Sequence, residues 1–188
     1  MKKGCYIVAI GASAGGTEAL TSFFKNIPVN NHIAFVVIPH LKTGYRSYLD
    51  EIIGKVTALP VIRVTENTTV LSGKIYLLAE DRMMTIKGNH LYVRQRRPEE
   101  IINRAIDIFL TSLAAEFKKK AVAVILSGMG NDGVKGVQAI NYYEGLVLIQ
   151  DPSTTCYKSM PNEAIRINHT VEILPPEQLA IRLATLTG

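Results

Sequence analysis

Ser13 has the surroundings best suited to chemistry. The segment Gly11-Ala12-Ser13-Ala14-Gly15-Gly16 follows Cys5–Ile10, a short apolar run rich in β-formers, and leads into an amphipathic stretch over Gly15–Lys25. A serine on a tight strand-to-helix turn, with glycine two residues away on either side, stands clear of the backbone. The first N–H groups of the helix then face whatever the hydroxyl attacks. A hydroxyl becomes a nucleophile only beside a base, and imidazole is the base suited to neutral pH. The imidazole in turn needs a carboxylate to fix its tautomer and stabilise its protonated form.

Both partners stand where strands should end. The run Ile33–Ile38 closes on Pro39-His40, and Ala121–Leu126 closes on Ser127-Gly128-Met129-Gly130-Asn131-Asp132-Gly133. The run Leu146–Ile149 closes on Gln150-Asp151-Pro152. Sites in open parallel sheets form at the carboxyl ends of strands, so Ser13, His40 and either Asp132 or Asp151 converge on one sheet edge. Spacing does not choose between the two aspartates. Each also has a plainer role: Asp132 suits a cap for a helix starting near Val134, and Asp151 before Pro152 suits a turn. Glu80-Asp81 reads as a turn, and His32, His90 and His169 as solvent-facing. A serine after the first strand, in the order Ser…His…Asp, separates the chain from the α/β-hydrolases.

The elements that must position these residues alternate along the chain. Strand-like runs at Cys5–Ile10, Ile33–Ile38, Val61–Val64, Ala121–Leu126, Leu146–Ile149 and Val171–Leu174 are separated by helix-like stretches. These are Gly15–Lys25, Tyr45–Gly54, Ile101–Phe117, Val134–Tyr143, Pro161–Ile167 and Pro176–Thr185. Near-continuous Val/Ile/Leu runs mark strands covered on both faces. The expected fold is therefore α/β: a doubly wound, mostly parallel sheet with helices on both faces. Gly73 to Arg94 departs from the pattern. Its short runs Lys74–Leu78, Met83–Ile86 and Leu91–Val93, with turn chemistry at Lys87-Gly88-Asn89, read as an inserted antiparallel hairpin. Asn67, Thr68 and Thr69 read as a loop before it, and Pro98 as the opening of the long helix after it.

Composition narrows the functional classes. The 188 residues are 47% hydrophobic and 20% charged, which fits one globular domain spanning 1–188. No apolar stretch reaches membrane-spanning length, so no membrane insertion is expected. Cys5 and Cys156 are the only cysteines and lack metal or disulfide spacing, so they read as buried or semi-buried residues in a reducing cytoplasm. The net charge of +5 comes partly from Arg94-Gln95-Arg96-Arg97 and Lys118-Lys119-Lys120. No aromatic residues interleave with them, so they read as solvated faces and no nucleic acid is expected as a partner. Gly11-x-Ser13-x-x-Gly16 also resembles a dinucleotide fingerprint, but serine replaces its middle glycine and no acid ends the second strand. No metal-ligand cluster is expected.

Ile10–Gly16, Val36-Val37-Ile38-Pro39-His40 and Ile125–Gly133 resemble the catalytic domain of the CheB-type protein-glutamate methylesterases of bacterial chemotaxis. Gln150-Asp151-Pro152 and Met160-Pro161-Asn162-Glu163-Ala164 extend the similarity, which covers about Ile7 to Leu179. The resemblance implies Ser13 as nucleophile, His40 as general base and acid, and Asp132 rather than Asp151 as the orienting carboxylate. It also implies oxyanion or substrate contacts from Ala14 and Met129. Alanine stands at 14 where the family often has threonine, and Pro39 replaces a common glutamine. The implied reaction is hydrolysis of glutamyl γ-methyl esters on methylated chemoreceptor-type proteins in the cytoplasm, with glutamine deamidation as a related activity. No cofactor is required. Since the chain starts almost at its first strand, no receiver domain is expected. The chain is also similar to the module fused to CheR-type methyltransferases, which makes such an enzyme an expected partner. A non-catalytic adaptor with the same fold is the alternative, and a nucleotide-binding module a weaker one.

Overall fold

Burial on both faces turns the apolar runs into a parallel sheet. The computed structural model describes residues 6–27, 32–167 and 171–187. Cys5 and His169 lie outside the described residues. In chain order the elements are β1 (Tyr6–Ala12), α1 (Gly16–Lys25), β2 (Ile33–Pro39), α2 (Leu49–Gly54), β3 (Val61–Val64), β4 (Thr68–Thr69), β5 (Ile75–Leu78), β6 (Arg82–Lys87) and β7 (His90–Gln95). They continue with α3 (Ala105–Phe117), β8 (Ala121–Ile125), α4 (Val134–Tyr142), β9 (Leu146–Gln150), α5 (Ser159–Arg166), β10 (Glu172–Leu174) and α6 (Pro176–Ala184). Among the described residues, seven strands form one sheet in the order β10-β9-β8-β1-β2-β5-β3. Every pair within it is parallel.

Alternate side chains of each central strand feed two cores. Val8, Ile10 and Ala12 of β1 join Phe35 of β2 and Val122 and Val124 of β8 beneath α1, α2 and α6. There Phe23, Phe24 and Phe35 meet edge to face, with ring centroids 5.1–6.2 Å apart. Ile7 and Ala9 face the other way, toward α3, α4, α5 and a small antiparallel sheet. The chain winds outward from β1 to β2 over one face and from β8 to β9 over the other. The boundary between β1 and β8 is therefore the switch point, where the carboxyl ends of strands leave a crevice.

Five expectations change. Ile75–Leu78 is no hairpin strand but pairs parallel to both β2 and β3 inside the main sheet. The hairpin is β6–β7 alone, and Thr68–Thr69, read as loop, pairs with β7 to make a sheet ordered β4-β7-β6. The long helix starts at Ala105 rather than Ile101, because Arg96 donates to the Glu100 and Ile101 carbonyls and the Asn103 side chain accepts from Ala105 N. The second helix starts at Leu49 rather than Tyr45, since Gly44 N and Ser47 N donate to the Asp81 and Glu80 carboxylates instead of starting a helix. Cys156 is exposed, not buried, because it lies in the loop beyond β9.

Candidate active site

The sequence around Ser13 folds as its glycines allow. β1 runs through Ala12, and Ser13 N then donates to Ser127 O at 2.9 Å, tying the ends of β1 and β8 together. Gly16 N donates to Ser13 O at 2.8 Å, and Gly15, at φ 71°, closes the turn into α1. Two further glycines permit close approach. A methyl group on Gly128 would stand 2.9 Å from the Ser13 Cβ, and one on Gly11 would stand 2.7 Å from Ile106 Cγ2. Ser13 therefore sits at the switch point, with the loop after β8 against it.

His40 follows the last residue of β2, and its amide donates to Ala12 O at 2.9 Å, one residue before Ser13. Its Nε2 lies 2.7 Å from Asp132 Oδ2. A carboxylate only accepts, so the ring proton belongs on Nε2 and the free lone pair on Nδ1. Among the described residues no hydrogen bond joins the Ser13 hydroxyl to His40. The imidazole is partly open, with 19% of its side chain exposed, while the Asp132 side chain is 3% exposed.

Asp132 is held more firmly than an ordinary loop carboxylate. Its Oδ2 also accepts from Ile106 N at 3.0 Å, and its Oδ1 accepts from Asp107 N and Gly133 N, both at 2.9 Å. It caps the first turn of α3, not the helix that follows it. α4 is capped instead by Asp107, whose Oδ1 accepts from Gly133 N and Gly136 N. Burial pushes the Asp107 carboxyl above its ordinary value, with the Asp132 charge adding to the rise. The Gly136 and Gly133 amides and Arg104 oppose it. Asp107 was not singled out from the sequence. A helix read from Ile101 places it in the second turn, where an aspartate carries no capping signal.

Asp151 serves its own turn. Its carboxylate accepts from Ser153 N at 2.8 Å, which holds it below the usual aspartate range. The structure thus separates the two aspartates left open by spacing: Asp132 meets His40, and Asp151 does not. Ala14 and Met129 lie in the loops after β1 and β8. Among the described residues neither amide has a hydrogen-bond acceptor. The Met129 loop is pinned on both sides, by Ser127 N to Gln150 Oε1, by Gly128 N to Tyr157 O and by Gly130 N to Ser159 Oγ. A cavity of about 450 Å³ opens beside the Ser13 turn, lined in part by Gly15, Ala19, Gln150, Tyr157 and Pro175. Among the described residues no three His, Cys, Asp or Glu side chains gather as metal ligands, and no helix is long and apolar enough to cross a membrane. His32 and His90 are exposed, as expected.

Known proteins give this geometry a family. The chain is 30% identical over 181 residues to protein-glutamate methylesterase/protein-glutamine glutaminase 2 of Burkholderia pseudomallei, covering 96% of this chain and 53% of that protein. It is 32% identical over 183 residues to protein-glutamate methylesterase/protein-glutamine glutaminase 3 of Paramagnetospirillum magneticum, covering 97% of this chain and 52% of that one. The chain thus spans about half the length of these curated relatives. The crystal structure of the Thermotoga maritima CheB methylesterase catalytic domain superposes with a TM-score of 0.88 at 29% identity, over 96% of this chain and 98% of that one. The CheB methylesterase family model matches residues 8–183, and the chain belongs to that family.

Proposed function

We propose that this chain is a cofactor-free serine esterase that hydrolyses glutamyl γ-methyl esters on methylated chemoreceptor-type proteins. The observation that carries the reading is the 2.7 Å contact between His40 Nε2 and Asp132 Oδ2 at the sheet edge where Ser13 turns out of β1. Ser13 Oγ attacks the ester carbonyl as His40 Nδ1 takes its proton, and Asp132 stabilises the resulting imidazolium. His40 returns that proton to the leaving oxygen, releasing methanol and leaving the glutamyl group esterified to Ser13. Water, deprotonated by His40, then frees glutamate and restores the serine. The Ala14 and Met129 amides take the oxyanion, each such donor contributing on the order of 10²–10³ in rate. Catalytic hydrogen bonds often tighten only once substrate is bound, so the Ser13–His40 contact belongs to the complex.

The same acyl-enzyme forms from a glutamine side chain with ammonia as the leaving group, in keeping with the double name of the relatives. The substrate's methylated helices set the reaction in the cytoplasm. A CheR-type methyltransferase is the partner that would supply the ester. Two measurements test the proposal: fluorophosphonate labelling of the protein and of Ser13→Ala, and methanol release from methylated receptors. Labelling confined to the serine-bearing protein, with methanol released, is the expected result. Labelling indifferent to Ser13→Ala, or no methanol, would instead favour the adaptor reading.

A further inference from the structure

Asp107 is 6% exposed and takes no part in the steps above. It is the third residue of α3, where an aspartate ordinarily faces solvent or its own helix terminus. Here its Oδ1 crosses to α4 and accepts from Gly133 N at 2.9 Å and Gly136 N at 3.0 Å. It fills the cap that Gly133, without a side chain, cannot make. Asp132 crosses in the opposite direction, to the Ile106 and Asp107 amides of α3. Each carboxylate thus caps the helix next to the other. They meet at the Gly133 N–H, which the two Oδ1 atoms share at 2.9 Å each.

Two carboxylates on one donor repel, and burial raises the cost. The charged and titratable groups around Asp107 are Asp132, Arg104, whose Nη1 is 3.6 Å from Asp107 Oδ2, and His40 beyond Asp132. Asp107 Oδ2 itself is buried without a hydrogen-bond partner among the described residues. Residue 133 cannot supply that cap itself, since its φ of 98° and a Cβ falling 3.0 Å from Ile106 Cγ2 keep it glycine. What the paired arrangement adds is a fixed Asp132. That carboxylate cannot swing from His40 without breaking bonds to both helices.

We propose that Asp107 is a positioning residue for the His40–Asp132 pair, holding the Asp132 carboxylate against the imidazole through the Gly133–Gly136 backbone. It acts through Asp132 and touches no substrate. This rests on the esterase reading, so one readout must not need turnover. The proton between His40 Nε2 and Asp132 Oδ2 supplies it, as a downfield proton NMR signal.

Asp107→Ala should broaden or abolish that signal and lower kcat on the order of 10–100-fold, the scale of a misplaced catalytic group. KM should stay within about twofold, because the residue lies behind the site. Asp107→Asn keeps one acceptor in a weaker, neutral hydrogen bond, so it should shift the signal and lower kcat about 3–10-fold. A folded Asp107→Ala with a lower thermal midpoint but the normal signal and kcat would mark a mere cap and overturn the proposal. Should Asp107→Ala not fold, an Asp107→Asn protein with unmoved signal and kcat would overturn it equally. A protein that never cleaves esters would sink the esterase reading alone, leaving the proton signal to judge Asp107.

Discussion

At the scale of single residues, the site depends on a carboxylate that cannot move. Asp132 accepts from Ile106, Asp107 and Gly133 amides and from His40, so all its acceptor directions are used. Asp132→Asn would place an amide NH₂ against either the backbone donors or the imidazole. In the first case two N–H groups face each other; in the second the imidazole is driven to the tautomer that presents Nδ1–H to Ser13. In either case the proposed base loses the carboxylate that fixes its tautomer and stabilises its charge, and kcat should fall roughly 10³–10⁴-fold. Steady-state methanol release checks this, and a loss below about tenfold would remove Asp132 from the mechanism. A serine, a histidine and an aspartate at strand ends were legible in the sequence because parallel sheets gather strand ends. The choice of Asp132 over Asp151 was not legible in spacing, since it depends on which helix terminus each carboxylate meets.

At the scale of elements, the loop after His40 is seated by groups remote in sequence. Gly44 N donates to Asp81 Oδ2, and Ser47 N donates to Glu80, which also pairs with Arg63 of β3. Glu80-Asp81 is a turn, as its composition indicated, and it also anchors that loop. These long-range bonds explain why α2 starts at Leu49 and why a local pattern beginning at Tyr45 misleads. β5 was misread for a related reason. Four apolar residues, Ile75–Leu78, specify a strand but not its neighbour, and the partners at β2 and β3 lie 40 and 14 residues earlier in register. Burial would raise the Glu80 carboxyl, but the Ser47 amide and Arg63 hold it below the ordinary glutamate value. A lowered folded value means the stabilisation is present above the unfolded pKa and is lost as pH falls through the folded one. Glu80→Gln should therefore lower the thermal midpoint at pH 7, and its gap from the unaltered protein should close as the pH falls from about 5 toward 3. A gap that stays constant across that range would detach Glu80 from the acid response.

At the scale of the whole molecule, α3 links the switch point to the antiparallel sheet. Its Ser112 Oγ accepts from Ile86 N and its Glu116 from Gly88 N, both in the β6–β7 hairpin, while its first amides hold Asp132. The helix reaches β1 only because residue 11 is glycine, with a Cβ there falling 2.7 Å from Ile106 Cγ2. Gly11, two residues before Ser13 in β1, thus admits the helix carrying the Asp132 donors. Gly11→Ala should overpack this contact, costing about 1–3 kcal/mol. It should also displace the Ile106 amide from Asp132 Oδ2, so kcat should fall with it. Ile106→Ala alone opens a cavity and should cost about 2–5 kcal/mol. Together the new methyl enters the space that Ile106 leaves. The double variant should be more stable than the sum of the two losses implies by at least about 1 kcal/mol, since residues in direct contact couple. Urea unfolding of the four proteins measures the coupling, and kcat should recover in the double variant relative to Gly11→Ala. Additive losses within about 0.5 kcal/mol, with no recovery, would show that the β1–α3 approach does not govern where Asp132 stands.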